Sequence, residues 1–368
     1  MSRASYTILI ALAAALSLGA CSEREAAADE HAAVAAKVDS LVAAFQRETH
    51  APGVSVGVIR GGRDTLVLRG YGLADVENEV AATPETVYPI ASITKQFTAA
   101  AVLLLAREKR LSLDDPIGRH LPGLPAAWRG VLVRQLLNHT SGIPNHPVLM
   151  REEMTPDSVV ALAGREPLEF APGTRSSYSN VGYLVLGLLI EKLTEQPYRQ
   201  YVDTRLFRPN GLRSTRYCDE ERLIPHRASG YVQRDTGVAN APPVSMLAVS
   251  SAGGLCSTVG DLAAWNHALA TGRVLSPESW ARMTTPEGAA TNYGYGMIVM
   301  SWEGHRMIGH GGALDGFRSS SAYALDDSLS VTLLTNLGFA SPEELVLDIV
   351  RAALQGSPRG ARPETPSP

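Results

Sequence analysis

Ser92-Ile93-Thr94-Lys95 leads directly into Gln96-Phe97-Thr98-Ala99-Ala100-Ala101-Val102-Leu103-Leu104-Leu105, an almost unbroken apolar run. A run of this kind from Thr94 to Arg107 predicts a buried helix. Ser92 and Lys95 are three residues apart, so their hydroxyl and amine share one helix face. A lysine withdrawn from water beside the positive end of a helix loses its proton more easily. The neutral amine can then take the proton of Ser92 and make it a nucleophile. Lysine is scarce here: Lys37, Lys95, Lys109 and Lys192 are the only four among 33 Lys and Arg residues. Arginine cannot deprotonate and so cannot serve as a base. Taken by itself, the tetrapeptide equally suits a capping serine followed by a solvated lysine.

Outward from this helix the pattern changes toward both chain ends. Ala32 to Gln46 reads as an amphipathic helix. Val54 to Arg60, Gly61-Gly62, and Thr65 to Arg69 read as a β-hairpin. Near the other end, Met297 to Trp302, His305 to Ile308, Ser319 to Leu325 and Leu329 to Thr335 read as strands, and Pro342 to Leu354 as a closing helix. Between them, Arg134 to His139 and Val181 to Leu193 are helical in pattern. The expected class is α+β: an antiparallel sheet built from both chain ends, flanked by helices, with a mainly helical inserted part. The boundaries expected are 34–90 plus 240–355 for the α/β part and 91–239 for the helical part. Residues 356–368, rich in Pro, Gly, Arg and Ser, read as a disordered tail.

With 368 residues and 45% hydrophobic content, the chain can bury a large core. Its net charge of −4 gives no bias toward nucleic acid, and no basic cluster interleaves with aromatics. The N-terminus reads as a targeting segment: Arg3, then an apolar stretch from Tyr6 to Ala20. Leu18-Gly19-Ala20-Cys21 resembles the lipobox of bacterial lipoproteins. That resemblance implies a signal peptide over 1–20, lipidation of Cys21, a tether over 21–33 and attachment to a membrane. Ser22 stands where the inner-membrane retention signal has Asp, so an outer-membrane location is implied where the host has one. Cys218 and Cys256 remain in the mature chain. In an oxidising compartment they can form a disulfide, or stand as two unpaired buried thiols.

Two further groups carry chemistry. Tyr178-Ser179-Asn180 sits on a loop entering a helix. A phenol near a lysine can pass a proton to a leaving group. Asn180 can fix a substrate carbonyl or hold Lys95. His310-Gly311-Gly312-Ala313 follows the strand expected to end at Ile308. Its glycines allow close approach of a ligand. The N–H of Ala313, with that of Ser92, would make an oxyanion hole.

Ser92-x-x-Lys95, Tyr178-x-Asn180 and His310-x-Gly312, in this order, resemble the serine β-lactamase / penicillin-binding-protein superfamily. The nearest resemblance is to the class C β-lactamase-related branch, with its D-alanyl-D-alanine carboxypeptidases, D-aminopeptidases and esterases. Flanking segments agree: Tyr88-Pro89-Ile90-Ala91, Leu136-Leu137-Asn138-His139-Thr140-Ser141-Gly142, Ser250-Ser251-Ala252-Gly253-Gly254-Leu255 and Gly316-Phe317-Arg318-Ser319. The likeness runs from Val38 to Leu354. It implies that Ser92 is the acylated nucleophile, Lys95 its base, Tyr178 the proton donor to the leaving group, and Asn180 their hydrogen-bonding partner. His139 lies in a segment that is a structural turn in the family. His310 stands where β-lactamases have the lysine of K-T-G.

The departures from that pattern concern substrate. A histidine of pKa about 6.5 is largely neutral at pH ~7, and Gly311 removes a hydroxyl. Both weaken the hold on a penicillin carboxylate. Arg318 is the candidate for supplying the lost charge, with Gly311 and Gly312 lining the substrate. The expectation is a serine hydrolase of amides or esters, acting on a small-molecule or peptide substrate through a Ser92 acyl-enzyme, with peptidase or esterase activity ahead of β-lactamase activity. No cofactor is expected, and no metal, since the chain has no H-E-x-x-H pattern. The rival reading is a lipid-anchored penicillin-binding sensor or cell-wall binding protein with little turnover. The sequence carries no signal for an oligomeric state.

Overall fold

The computed structural model describes residues 27–145, 154–235 and 237–355. The signal peptide, Cys21 and the tail over 356–368 lie outside the described residues. The first helix, α1, covers residues 27–49. Then come β1 (Gly53–Arg60), β2 (Asp64–Asp75), β3 (Val80–Ala81), β4 (Tyr88–Pro89) and α2 (Thr94–Arg107). The helices α3 (Val133–Leu137), α4 (Pro156–Ala163), α5 (Asn180–Thr194) and α6 (Tyr198–Val202) follow. Short strands β5 (Arg216–Tyr217), β6 (Tyr231–Arg234) and β7 (Gly237–Asn240) precede α7 (Met246–Gly253), β8 (Leu255–Ser257), α8 (Val259–Ala270) and α9 (Pro277–Met283). The chain closes with β9 (Ile298–Trp302), β10 (His305–Leu314), β11 (Phe317–Ala324), β12 (Leu329–Thr335) and α10 (Pro342–Gln355).

The main sheet runs β3-β2-β1-β12-β11-β10-β9, with antiparallel pairs throughout. β1 from the N-terminal hairpin pairs β12 from the C-terminal strands, Val54 opposite Thr335 through to Arg60 opposite Leu329. The sheet is thus assembled from both chain ends, as expected. Alternation along each strand sorts its two buried faces. Val54, Val56, Val58, Leu329, Val331 and Leu333 join Val38 and Val42 of α1 and Ile349 and Val350 of α10 in one apolar cluster. The opposite face carries Ser321, Ser330 and Thr332, and Asn266 of α8 donates to Ser321 Oγ (2.9 Å) and Ser330 Oγ (3.0 Å). Trp265 of α8 stacks on Phe97 of α2 at 4.1 Å, and its Nε1 donates to Gln96 Oε1. In this way α2 is clamped at the centre of the molecule, between α8 and the helices α5 and α7.

Three expectations are corrected. Residues 27–33, read as part of a tether, are helical. Glu30 and His31 pair with Arg60 and Asp64 at the β1–β2 turn, which fixes that first stretch of α1. The strand expected to stop at Ile308 continues to Leu314. Two successive glycines suggest a turn, but here they permit close packing: a Cβ on Gly312 would lie 2.4 Å from Ile90 O and 2.3 Å from Ser319 Oγ. The helical layer also continues past residue 239, because α7 packs on α2 and α5. Cys218 and Cys256 are joined by a disulfide, with Cα atoms 5.0 Å apart.

Candidate active site

Ser92 lies on a single 3₁₀ turn, Ala91–Ile93, immediately before α2. The turn is held from two sides. Ile90 N donates to Leu255 O at 2.9 Å, and Ser319 Oγ donates to Ile90 O at 2.9 Å. Ala91 adopts a left-handed conformation (φ 47°), a costly one for a residue with a Cβ. Such local strain persists only where the surroundings enforce it. The missing side chain of Gly312 is what lets this turn rest on β10.

Lys95 is fully buried on the first turn of α2. Its Nζ lies 3.2 Å from Ser92 Oγ, 2.8 Å from Asn180 Oδ1 and 2.7 Å from Ala252 O. Burial drives its pKa well below the ordinary lysine value. A neutral amine has two N–H groups and one lone pair. The two acceptors Asn180 Oδ1 and Ala252 O take the N–H groups, which leaves the lone pair for Ser92. The Ala252 carbonyl reaches Lys95 because α7 breaks at Ser250 (φ 21°, ψ −115°). The break turns two carbonyls toward α2: Thr98 Oγ1 donates to Ser251 O at 2.6 Å, and Lys95 to Ala252 O.

The Tyr178-Ser179-Asn180 segment is fixed through its middle residue. Ser179 caps α5, its Oγ accepting from Gly182 N, and its own N–H donates to His139 Nδ1 at 3.2 Å. His139 is buried in a left-handed turn (φ 60°) and packs its ring 4.3 Å from that of Tyr178. It thus supports the tyrosine from behind. The Tyr178 ring lies 4.8 Å from Lys95 Nζ. Although 38% of Tyr178 stays exposed at the cleft, desolvation of its hydroxyl raises its pKa, opposed by a hydrogen bond with Ser92. It is a protonated phenol at neutral pH.

His310 is buried on β10. Its Nδ1 donates to Gly311 O, so its Nε2 is the acceptor for the Tyr293 hydroxyl at 2.8 Å. Burial first, and then the nearby Lys95, bring its pKa down to about 4. β9 pairs with β10 only as far as Gly309, which leaves the edge from His310 onward unpaired by β9. Ala313 on that edge lines a cavity together with Ser92 and Asn180. Arg318 donates from Nη1 to Leu314 O and Phe317 O, bracing the β10–β11 turn, and its charge faces Glu343 and Asp315. Gly311 lies beside Glu343: a Cβ there would meet Oε1 at 2.7 Å.

Residues 38–355 match the sequence model of the family described as Beta-lactamase. This chain belongs to the Beta-lactamase family. It is 30% identical over 330 residues to protein flp of Staphylococcus aureus strain MW2, covering 84% of this chain and 64% of that protein. It is 30% identical over 312 residues to the D-aminopeptidase of Brucella anthropi, covering 81% of this chain and 59% of that one. The chain therefore spans less than two thirds of the length of these curated relatives. Among solved structures, the D-amino acid amidase of Ochrobactrum anthropi SV3 superposes with a TM-score of 0.78 at 27% identity, covering 89% of this chain and 98% of that one. The octameric penicillin-binding protein homologue of Pyrococcus abyssi gives 0.77 at 29% identity, covering 88% and 78%.

Two parts of this Beta-lactamase family site were not found from the sequence. One is Tyr293, in Tyr293-Gly294-Tyr295-Gly296. That run was the available signal: Gly296 has φ 75°, and a Cβ on it would meet Lys95 O at 2.5 Å. The other is the Ala252 carbonyl, which as a main-chain atom has no residue-type signature.

Proposed function

We propose that this chain is a serine hydrolase that cleaves amide or ester bonds through an acyl-enzyme on Ser92. The carrying observation is the hydrogen-bond inventory of Lys95: both N–H groups engaged, the lone pair left for Ser92 Oγ. In this mechanism Ser92 Oγ attacks the carbonyl carbon and its proton passes to Lys95 Nζ. The oxyanion is received by the N–H groups of Ser92 and Ala313. Tyr178 gives its proton to the departing nitrogen or oxygen and recovers one from Lys95. Water then attacks the acyl-enzyme, loses a proton to the same relay, and releases the acid as Ser92 takes a proton back.

The names of the D-aminopeptidase and D-amino acid amidase relatives support amide cleavage. The His310-x-Gly312 variant supports placing it in the class C-related peptidase and esterase group rather than among efficient β-lactamases. Turnover of a panel of nitrocefin, D-Ala-D-Ala peptides, D-amino-acid amides and p-nitrophenyl esters tests the reading, with intact mass recorded after each exposure. Regenerated enzyme with product supports the hydrolase. A stable adduct without turnover replaces it with the sensor reading. Ser92→Ala should lose all covalent labelling by a fluorophosphonate, and persistent labelling would refute the assignment. The Leu18 to Cys21 stretch supports export and lipid attachment at Cys21; metabolic fatty-acid labelling that survives Cys21→Ala would refute that part.

A further inference from the structure

The cavity beside Ser92 is walled by Val159, Val181, Leu184, Val249 and Leu314. These come from α4, α5, α7 and the end of β10. Its polar lining atoms belong to neutral groups: Ser92, Asn180 and main chain. Among the described residues that line it, none carries a charge.

Lys95 and His310 cannot serve as counter-ions. Lys95 is buried and its N–H groups are committed to Asn180 and Ala252. On His310 both ring nitrogens are committed, Nδ1 to Gly311 O and Nε2 to Tyr293. Burial lowers the pKa of both, that of His310 to about 4, so the histidine is neutral at pH ~7. Beyond Gly311 the nearest side chain is the carboxylate of Glu343, which disfavours an anion there. Arg318 is turned to the β10–β11 turn carbonyls.

A carboxylate moved from water into such a place loses its hydration and gains no cationic partner among the described residues that line it. Resting on the hydrolase reading above, we propose that Ser92 receives an acyl group with an uncharged aliphatic body, and that the site rejects acyl groups bearing a carboxylate.

A matched set of p-nitrophenyl esters tests the proposal: a neutral tert-butyl-capped butyrate, its trimethylammonium isostere, and hemiglutarate. The chain length and leaving group are constant; the trimethylammonium ester differs from the neutral one in charge alone, and hemiglutarate carries a smaller, planar anionic end. Hydrolysis is measured on the full chain at pH ~7, with Ser92→Ala as the background. The expected result is a kcat/KM for the neutral ester at least about 100-fold above that of hemiglutarate, with the trimethylammonium ester spared that loss. Hydrolysis of hemiglutarate at a rate equal to or above that of the neutral ester would overturn the proposal and leave the hydrolase reading intact. Turnover of none of the three, with no Ser92-dependent fluorophosphonate adduct, would remove the hydrolase reading and this proposal with it.

Discussion

The hydroxyl of Tyr293 donates to Nε2 of His310 across 2.8 Å. With Nδ1 donating to Gly311 O, that contact fixes one tautomer and leaves the ring uncharged. Tyr293 also packs 4.6 Å from His139, which packs on Tyr178. One phenol thus orders both histidines of the site. Tyr293→Phe keeps the ring and removes the donor. We expect a stability loss of about 1–2 kcal/mol from the unpaired Nε2, read as a lower urea midpoint at unchanged m. An unchanged midpoint would mean that the contact contributes nothing.

Lys95→Arg puts a permanent cation at this position and removes the ability to deprotonate. If Lys95 is the base, the rate of Ser92 acylation falls by about 100-fold to 10,000-fold. Stopped-flow acylation, or the time course of fluorophosphonate labelling, reads this directly. A rate within tenfold of the native one would move the base to another group.

The pH dependence has a fixed sign. The native pKa of His310 is about 4, against about 6.5 for the unfolded chain. Above about pH 6.5 both states hold the ring neutral and its contribution is complete. As pH falls toward about 4, the unfolded chain binds a proton that the native state refuses. Stability then declines by about 3 kcal/mol over that window. His139, also lowered by burial, acts in the same direction, whereas the loss from Lys95 begins higher, as pH falls below the ordinary lysine pKa. Urea denaturation between about pH 4 and 7 should show the slope, and His310→Asn should reduce it. An identical slope in the variant would assign it elsewhere. Activity should likewise fall on the acid side as Lys95 is protonated.

The adjacent glycines on β10 should respond differently to the same methyl group. In Gly312→Ala the new carbon meets the main-chain oxygen of Ile90 at 2.4 Å, so the turn carrying Ser92 must move. About 1–3 kcal/mol of stability and most of the activity should be lost. In Gly311→Ala the first obstacle is the flexible end of Glu343 at 2.7 Å, which can rotate away. Thermal melts of the two variants decide it, and equal losses would contradict the packing described.

The sheet, the hairpin at its start and the long buried helix were legible because each follows from local periodicity. α2 spans the expected residues, Thr94–Arg107, and β12 spans Leu329–Thr335. The continuation of β10 through Gly311 and Gly312 was not legible, since local propensity favours a turn there and only tertiary packing overrides it. Likewise, Ser92, Lys95, Tyr178 and Asn180 were found through motif spacing, whereas Tyr293 lies 17 residues before His310 and joins it only across folded space. The helical start of α1 depends on ion pairs with the β1–β2 turn, partners distant in sequence.

One consequence concerns heritability. Of the two acceptors that hold Lys95, Asn180 Oδ1 can be erased by a single codon change, whereas the oxygen of residue 252 is present whatever amino acid is encoded there. Random substitution can therefore detune Lys95 from one side only. Displacing the other anchor requires reshaping the break at Ser250, through insertion, deletion or repacking of α7 against α2. Directed evolution of this scaffold should accordingly accumulate changes at and around Asn180 while leaving the geometry of the 250–252 segment untouched.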